Sequence, residues 1–215
     1  ASVRSEKLLT MGFDGIIAAC GNYIEMDGKV IYENDLSADM VQKVIRVLSE
    51  CKMPVVLEGS TDYWIDDEGF ENDPYVDYLF ESLGEHAHII RGYDGEIRIN
   101  KFSADVIDGT DYERVKAEFA DDFLILEHVE NVVEFVPKGT SKATGIKWLC
   151  NHLDIPLDET YAIGDSVNDL EMLESVGHGI AMGNSMPPVK EIAEYVTSDI
   201  SDDGVKNALK HYGLI

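Results

Sequence analysis

From Val132 onward the chain alternates short apolar runs with helical patterns, and this alternation limits the fold more than any other feature. Val132–Val136, Tyr161–Ile163 and Gly179–Ala181 have the length and residue types of strands. Helical patterns fall at Lys142–Leu153, Val167–Val176 and Pro187–Ala193, with a last one starting at Gly204. Strands and helices joined by short links predict a parallel, doubly wound α/β sheet. Near the other end, Phe13–Cys20 is a mainly apolar run stopping at Gly21. Such a run is expected of a strand covered on both faces of a parallel sheet.

Between these regions the texture changes. Asp27-Gly28 separates Tyr23–Glu25 from Lys29–Tyr32, and Asp-Gly between β-formers predicts a tight hairpin. Ser37 is placed to cap a helix over Ala38–Lys52, where Met40, Val41, Val44, Ile45 and Leu48 recur at helical spacing. Strands are predicted at Pro54–Leu57, Ala87–Ile90, Ile97–Phe102 and Phe123–Val129, and helices at Pro74–Leu83 and Tyr112–Phe119. Acidic, turn-rich pieces such as Asp66-Asp67-Glu68-Gly69 separate them. This is a mixed α+β unit inserted into the α/β sheet, and its sheet is separate from that of the first strand. Tyr63 and Trp64 read as a packed aromatic pair and Glu68–Asp73 as a solvated turn.

Composition narrows the function. Acids outnumber bases 42 to 17, giving a formal net charge of −25. That field repels nucleic acid and anionic membrane surfaces. No run reaches the roughly 18–20 apolar residues needed to span a bilayer. The three cysteines, Cys20, Cys51 and Cys150, have no paired spacing and read as free thiols of a reducing, cytoplasmic setting. Packing accounts for Cys20 better than chemistry does, and the histidines have no zinc-ligand spacing.

Chemistry concentrates in Gly164-Asp165-Ser166-Val167-Asn168-Asp169. An apolar strand ends there and a helix begins, and ligands of doubly wound sheets bind outside the carboxyl ends of strands. Asp165, Asn168 and Asp169 crowd together, and a divalent cation relieves the repulsion of the two acids. Oxygen ligands of this kind suit Mg²⁺. Lys142 stands at a helix start, where its charge opposes the helix dipole, so it has either a solvated tail or an anion to meet. A phosphate facing it across the strand ends from Asp165 satisfies that need.

Together, Lys138-Gly139-Thr140-Ser141-Lys142, the Gly164–Asp169 hexad and Ala181-Met182-Gly183-Asn184 resemble the haloacid dehalogenase superfamily, and within it the Cof-type phosphatases with a C2B-type cap. Ile16–Glu25 with its hairpin, Tyr195-Val196-Thr197 and Asp203-Gly204-Val205 extend the resemblance over most of the chain. It implies a Rossmann-like core over residues 1–34 and 134–215, with an α+β cap over 35–133 that closes over the site and selects the leaving group. It also implies Mg²⁺-dependent hydrolysis of a small phosphorylated metabolite, such as a sugar phosphate, through an aspartyl-phosphate. By this resemblance Asp165 is a direct metal ligand and Asp169 supports the metal. Lys142 stabilises the nucleophile and the phosphoryl group, which Asn168 and Gly21 also contact. Cys20 stands where the family often has Asn.

The family's Asp-x-Asp-Gly-Thr strand and Ser/Thr-Gly-Arg loop have no counterpart in the sequence, and Asp14-Gly15 does not supply one. The opening residues Ala1–Leu9 resemble the helix that follows that loop, so the missing motifs are expected upstream and the chain by itself is expected to be inactive. A monomer or homodimer is expected. Two rival readings share these motifs: a ligand- or partner-binding protein of the same fold without catalysis, and a phosphomutase or sugar-phosphate synthase relative.

Overall fold

The computed structural model describes residues 12–66, 74–128 and 131–215. The helix expected at Ala1–Leu9 and the acidic turn at Glu68–Asp73 lie outside the described residues. The chain divides into two compact units, residues 1–139 and 140–215.

The first unit opens with a three-stranded antiparallel meander: β1 (Gly15–Ala18), β2 (Tyr23–Met26) and β3 (Lys29–Glu33). The hairpin between β2 and β3 turns on Asp27 and Gly28, both in the left-handed region at φ 50° and 72°, as an Asp-Gly turn requires. β1 corrects the sequence expectation. It is a half-buried strand paired antiparallel with β2 from Gly15↔Met26 to Ala18↔Tyr23, not a doubly covered member of a parallel sheet. An apolar run alone does not reveal whether its neighbour runs with it or against it. Beyond β1, Ala19, Cys20 and Gly21 all take positive φ, the first two without the freedom of a glycine. The next residue, Asn22, is fully buried and donates its side-chain N–H to the Ala19 carbonyl.

Next comes α1 (Ala38–Glu50), capped by the Ser37 hydroxyl, which accepts from the Met40 N–H. Its apolar stripe of Val41, Val44, Val47 and Leu48 is buried. The stripe packs on a sheet with the order β6 (Ala87–Ile89), β5 (Tyr63–Ile65), β4 (Val55–Glu58), β7 (Lys101–Asp105), β9 (Val132–Pro137) and β8 (Phe123–Glu127). α3 (Tyr112–Phe119) lies on the same core through Val115 and Phe119, and Phe102 stacks on Phe135 with centroids 4.5 Å apart. Full burial of each such side chain contributes about 1.5–3 kcal/mol. α2 (Pro74–Leu83) covers a smaller cluster containing Val56, Tyr63 and Ile65. Tyr63 and Trp64 are both buried in β5, but not as the expected pair: Tyr63 enters this smaller cluster and Trp64 the main core, because neighbouring strand residues point to opposite faces.

Two further expectations shift. The strand predicted at Ile97–Phe102 begins only at Lys101, because Lys101 and Ser103 pair in register with β4 while 97–100 belong to a loop. Lys101 is buried between Glu58 and Glu134, at 2.7 and 2.8 Å. Burial lowers its affinity for a proton, but the two carboxylates outweigh that and hold it above the ordinary lysine range. β9, read from sequence as the start of the parallel region, pairs antiparallel with β7 and β8. Phe135 supplies the reason, since it completes the aromatic core under Phe102 and Phe119.

The second unit has the predicted parallel texture: α4 (Lys142–His152), β10 (Tyr161–Gly164), α5 (Leu170–Ser175), β11 (His178–Ala181), α6 (Pro187–Ile192), β12 (Tyr195–Val196) and α7 (Gly204–His211). β10, β11 and β12 are parallel, with Tyr161↔His178 and Ile180↔Tyr195 in register. Ala162, Leu173, Ala181 and Val189 form the core between strands and helices. The helix expected over Val167–Val176 starts instead as a 3-10 turn, Val167–Asp169, and becomes α-helical at Leu170. The side-chain bonds of Asp169 explain that tight first turn. Among the described residues no helix is long and apolar enough to cross a membrane.

Candidate active site

β10 ends at Gly164, and the chain turns at once into the 3-10 segment, which leaves Asp165 at the carboxyl end of the sheet. Ser166 and Asp169 bond to each other reciprocally. The Asp169 N–H donates to the Ser166 carbonyl at 2.9 Å, and Asp169 Oδ2 accepts from the Ser166 N–H at 3.2 Å. Oδ2 also accepts from the Asp165 N–H at 3.0 Å. The carboxylate is 5% exposed and packs directly over Gly164. A Cβ on residue 164 would lie 2.7 Å from Asp169 Cβ and 2.9 Å from its Cγ, so only glycine fits there.

The other oxygen of Asp169 meets Lys142. α4 is capped by Ser141 and Thr144 acting reciprocally, which puts Lys142 in its first turn. Its Nζ donates to Asp169 Oδ1 at 2.5 Å and to Asn168 Oδ1 at 3.3 Å. Thus the cation that opposes the α4 dipole has found a buried carboxylate. Burial pushes the Asp169 carboxyl up. The Lys142 hydrogen bond, the Asp165 and Ser166 N–H groups and the lysine charge push it down further, so its pKa lies below the usual aspartate range.

The sign of the pH effect follows. A carboxyl with a depressed folded-state pKa contributes stability that is complete above the unfolded value of about 4 and declines as pH falls toward the folded value. Urea unfolding of the wild type and Asp169→Asn from about pH 6 to about pH 3 checks it. The wild-type advantage is expected to shrink below about pH 4. A gap that stays constant across the range would contradict it.

Of the residues predicted from sequence, Lys142, Asn168 and Asp169 meet directly, and Asp165 joins them through its backbone. The Asp165 side chain is exposed and makes no hydrogen bond or ion pair among the described residues. Gly21 belongs to the first unit, where it is buried at φ 87°. Two serines escaped the sequence reading. Ser166 holds Asp169, and Ser185, 5% exposed, donates its hydroxyl to the Gly164 carbonyl at 3.2 Å. The only signal for Ser185 was its place just after Gly183-Asn184, in a turn following a strand. Asn184 itself braces the neighbouring loop by accepting from the Ile200 N–H at 3.1 Å.

The donor set suits Mg²⁺. Among the described residues no group of three or more His, Cys, Asp or Glu could hold a metal by itself. Mg²⁺ does not need one, since it commonly keeps several waters and takes one or two carboxylates plus substrate oxygens. An exposed, unpaired Asp165 carboxylate beside a Asp169 held ionised fits that requirement.

The chain has relatives among known proteins. A family model described as haloacid dehalogenase-like hydrolase matches residues 5–209. The Bacillus subtilis (strain 168) protein YkrA is 30% identical, over 95% of this chain and 78% of its own. The HMP-PP phosphatase of Yersinia pseudotuberculosis serotype I (strain IP32953) is 26% identical over 87% of this chain and 70% of its own. A solved structure from Geobacillus kaustophilus HTA426 superposes with a TM-score of 0.81 at 26% identity, covering 96% of this chain and 79% of that one. A match to the family model along nearly the whole chain, on an α/β fold with these strand-end carboxylates, makes this chain a member of the haloacid dehalogenase-like hydrolases.

Proposed function

We propose that the site serves phosphoryl transfer, as a phosphatase of small phosphorylated metabolites. The observation that carries this reading is the pairing of Lys142 with Asp169 and Asn168 beside the unpaired carboxylate of Asp165. The name of the Yersinia relative supports it.

In this reading Asp165 would hold Mg²⁺ directly and Asp169 would support it through water or a hydrogen bond. The cation, when bound, supplies charge neutralisation for the transferring group and orients its oxygens. Lys142, with three donors and an ionised Asp169 holding it in place, turns a remaining N–H toward a phosphoryl oxygen. Asn168 shares the lysine through its carbonyl oxygen and has its amide N–H available to the phosphate. Asp169 keeps its negative charge throughout and holds the lysine in place.

No two aspartates in the 215 residues stand two positions apart. The chain therefore carries no Asp-x-Asp pair to serve as nucleophile and general acid, and we assign that pair to residues outside this sequence. We assign the cap, which selects the leaving group, to the six-stranded sheet and the helices packed on it; β9 carries that sheet to Pro137, past the limit at 133 expected from sequence.

The test is release of inorganic phosphate from a panel of sugar phosphates and other phosphate monoesters. The 215-residue chain is expected to release none, and a polypeptide carrying an upstream Asp-x-Asp is expected to be active. Activity of the latter is expected to disappear with EDTA and return with Mg²⁺. Asp165→Asn is expected to weaken Mg²⁺ activation by at least tenfold, in line with the loss of a charged ligand. Mg²⁺-dependent turnover by the 215 residues alone, or a variant at Asp165 with unaltered Mg²⁺ response, would sink the assignment.

A further inference from the structure

The strand end that carries Asp165 is held from two sides. The Gly164–Asp165 peptide is planar and trans, so its carbonyl and its N–H point in opposite directions. Its carbonyl accepts from the Ser185 hydroxyl at 3.2 Å and from the Met182 N–H at 3.0 Å. Its N–H donates to Asp169 Oδ2. The next peptide repeats the pattern, with the Asp165 carbonyl accepting from the Met186 N–H at 3.2 Å and the Ser166 N–H donating to the same Oδ2. Two consecutive peptide planes are thus pinned on their carbonyl sides by residues 182–186 and on their N–H sides by Asp169.

We propose that Ser185 is a positioning residue of the phosphoryl-transfer site, acting through the Gly164–Asp165 peptide on Asp165 and Asp169; this rests on the function proposed above. Backbone N–H donors from residues 182 and 186 would be present whatever the sequence, but the third bond depends on a hydroxyl at position 185. That hydroxyl is buried, and its bond stops the peptide from rotating about the strand axis. Rotation would swing the Asp165 N–H off Oδ2 and carry the Asp165 side chain with it. A carbonyl that accepts two hydrogen bonds also polarises its own peptide, making the attached N–H a better donor to the carboxylate.

Amide hydrogen exchange by NMR on the 215-residue chain tests the positioning without any activity. In Ser185→Ala, exchange at the Asp165 and Ser166 N–H groups is expected to accelerate about five- to tenfold, the weight of one net hydrogen bond. The Ile180 amide, in mid-strand β11, is expected to be unaffected. Ser185→Thr, which keeps the hydroxyl, is expected to restore Asp165 and Ser166 to within about twofold. Should Ser185→Ala fail to fold, Ser185→Cys keeps the volume and replaces the hydroxyl by a weak donor, so it gives the same readout. Unchanged exchange at Asp165, or equal acceleration at Asp165 and Ile180, overturns the proposal.

A kinetic arm uses the polypeptide that carries the Asp-x-Asp pair. There Ser185→Ala is expected to lower kcat about five- to tenfold with KM for the phosphate ester little changed, and Ser185→Thr to recover it. If the wild type releases no phosphate while the exchange result holds, the phosphatase reading fails and the backbone clamp stands. If turnover is robust and exchange does not respond, Ser185 is only a packing residue.

Discussion

Replacing Lys142 by methionine is expected to lower turnover of the active polypeptide by about 10²–10³, the effect of deleting one preorganised donor to a transferring group. The same change leaves Asp169, 5% exposed, without the cation that holds it ionised. Breaking a fully buried pair costs about 3–5 kcal/mol. The Lys142 side chain is 40% exposed, however, so water already screens part of the attraction. A loss of about 1–2 kcal/mol, read from the urea midpoint of the 215-residue chain, is the discounted expectation. Lys142→Arg separates the two effects. A guanidinium keeps the charge and most of the stability, but its planar fork does not reproduce a compact ammonium shared by Asp169 and Asn168. An unchanged urea midpoint in Lys142→Met would show that the contact with Asp169 contributes nothing, and the account of the site would lose its anchor.

Gly164→Ala is expected to be nearly as damaging, by a different route. Gly164 does not have a positive φ, so alanine meets no backbone strain there. The obstacle is Asp169, whose Cβ and Cγ stand 2.7 and 2.9 Å from where the new methyl would be. These atoms lie close to the backbone and cannot swing aside like the end of a long side chain. The carboxylate must move, which strains or breaks its bonds to the Asp165 and Ser166 N–H groups and to Lys142. Overpacking of this sort costs about 1–3 kcal/mol. A double-mutant cycle gives the decisive measurement. In an Asp169→Gly background the methyl has room, so Gly164→Ala should cost markedly less there than in the wild type. Equal costs in both backgrounds would mean that Asp169 is not the obstacle.

Much of the site was legible because its parts lie close together in sequence. Asp165, Asn168 and Asp169 fall within five residues, and a strand end followed by a helix start places them at one point. Caps and turns were equally readable. Ser37 caps α1 through the Met40 N–H, and Asp27-Gly28 takes two positive φ values, because each depends on bonds or sterics within four residues. The helices Pro74–Leu83 and Tyr112–Phe119 have the predicted limits for a similar reason, an apolar period with clear stops.

What escaped was set by partners far along the chain. β1 and β9 were read as strands from their apolar residues, yet nothing local says that β1 pairs antiparallel with β2 or that β9 joins the sheet of β7 and β8. Phe135 is drawn there by Phe102 and Phe119, more than a dozen residues away in sequence. Ser185 reads as an ordinary turn residue until its hydroxyl is found on the carbonyl of Gly164. The sequence by itself determined the turns, the caps, the helices and the crowding of acids after Gly164, since these depend on near neighbours. Only the tertiary structure decided which sheet each strand enters, that Lys142 reaches Asp169, and that the chain at 182–186 holds the peptides bearing Asp165. Those contacts depend on which surfaces can be buried together, and a residue's near neighbours do not specify that.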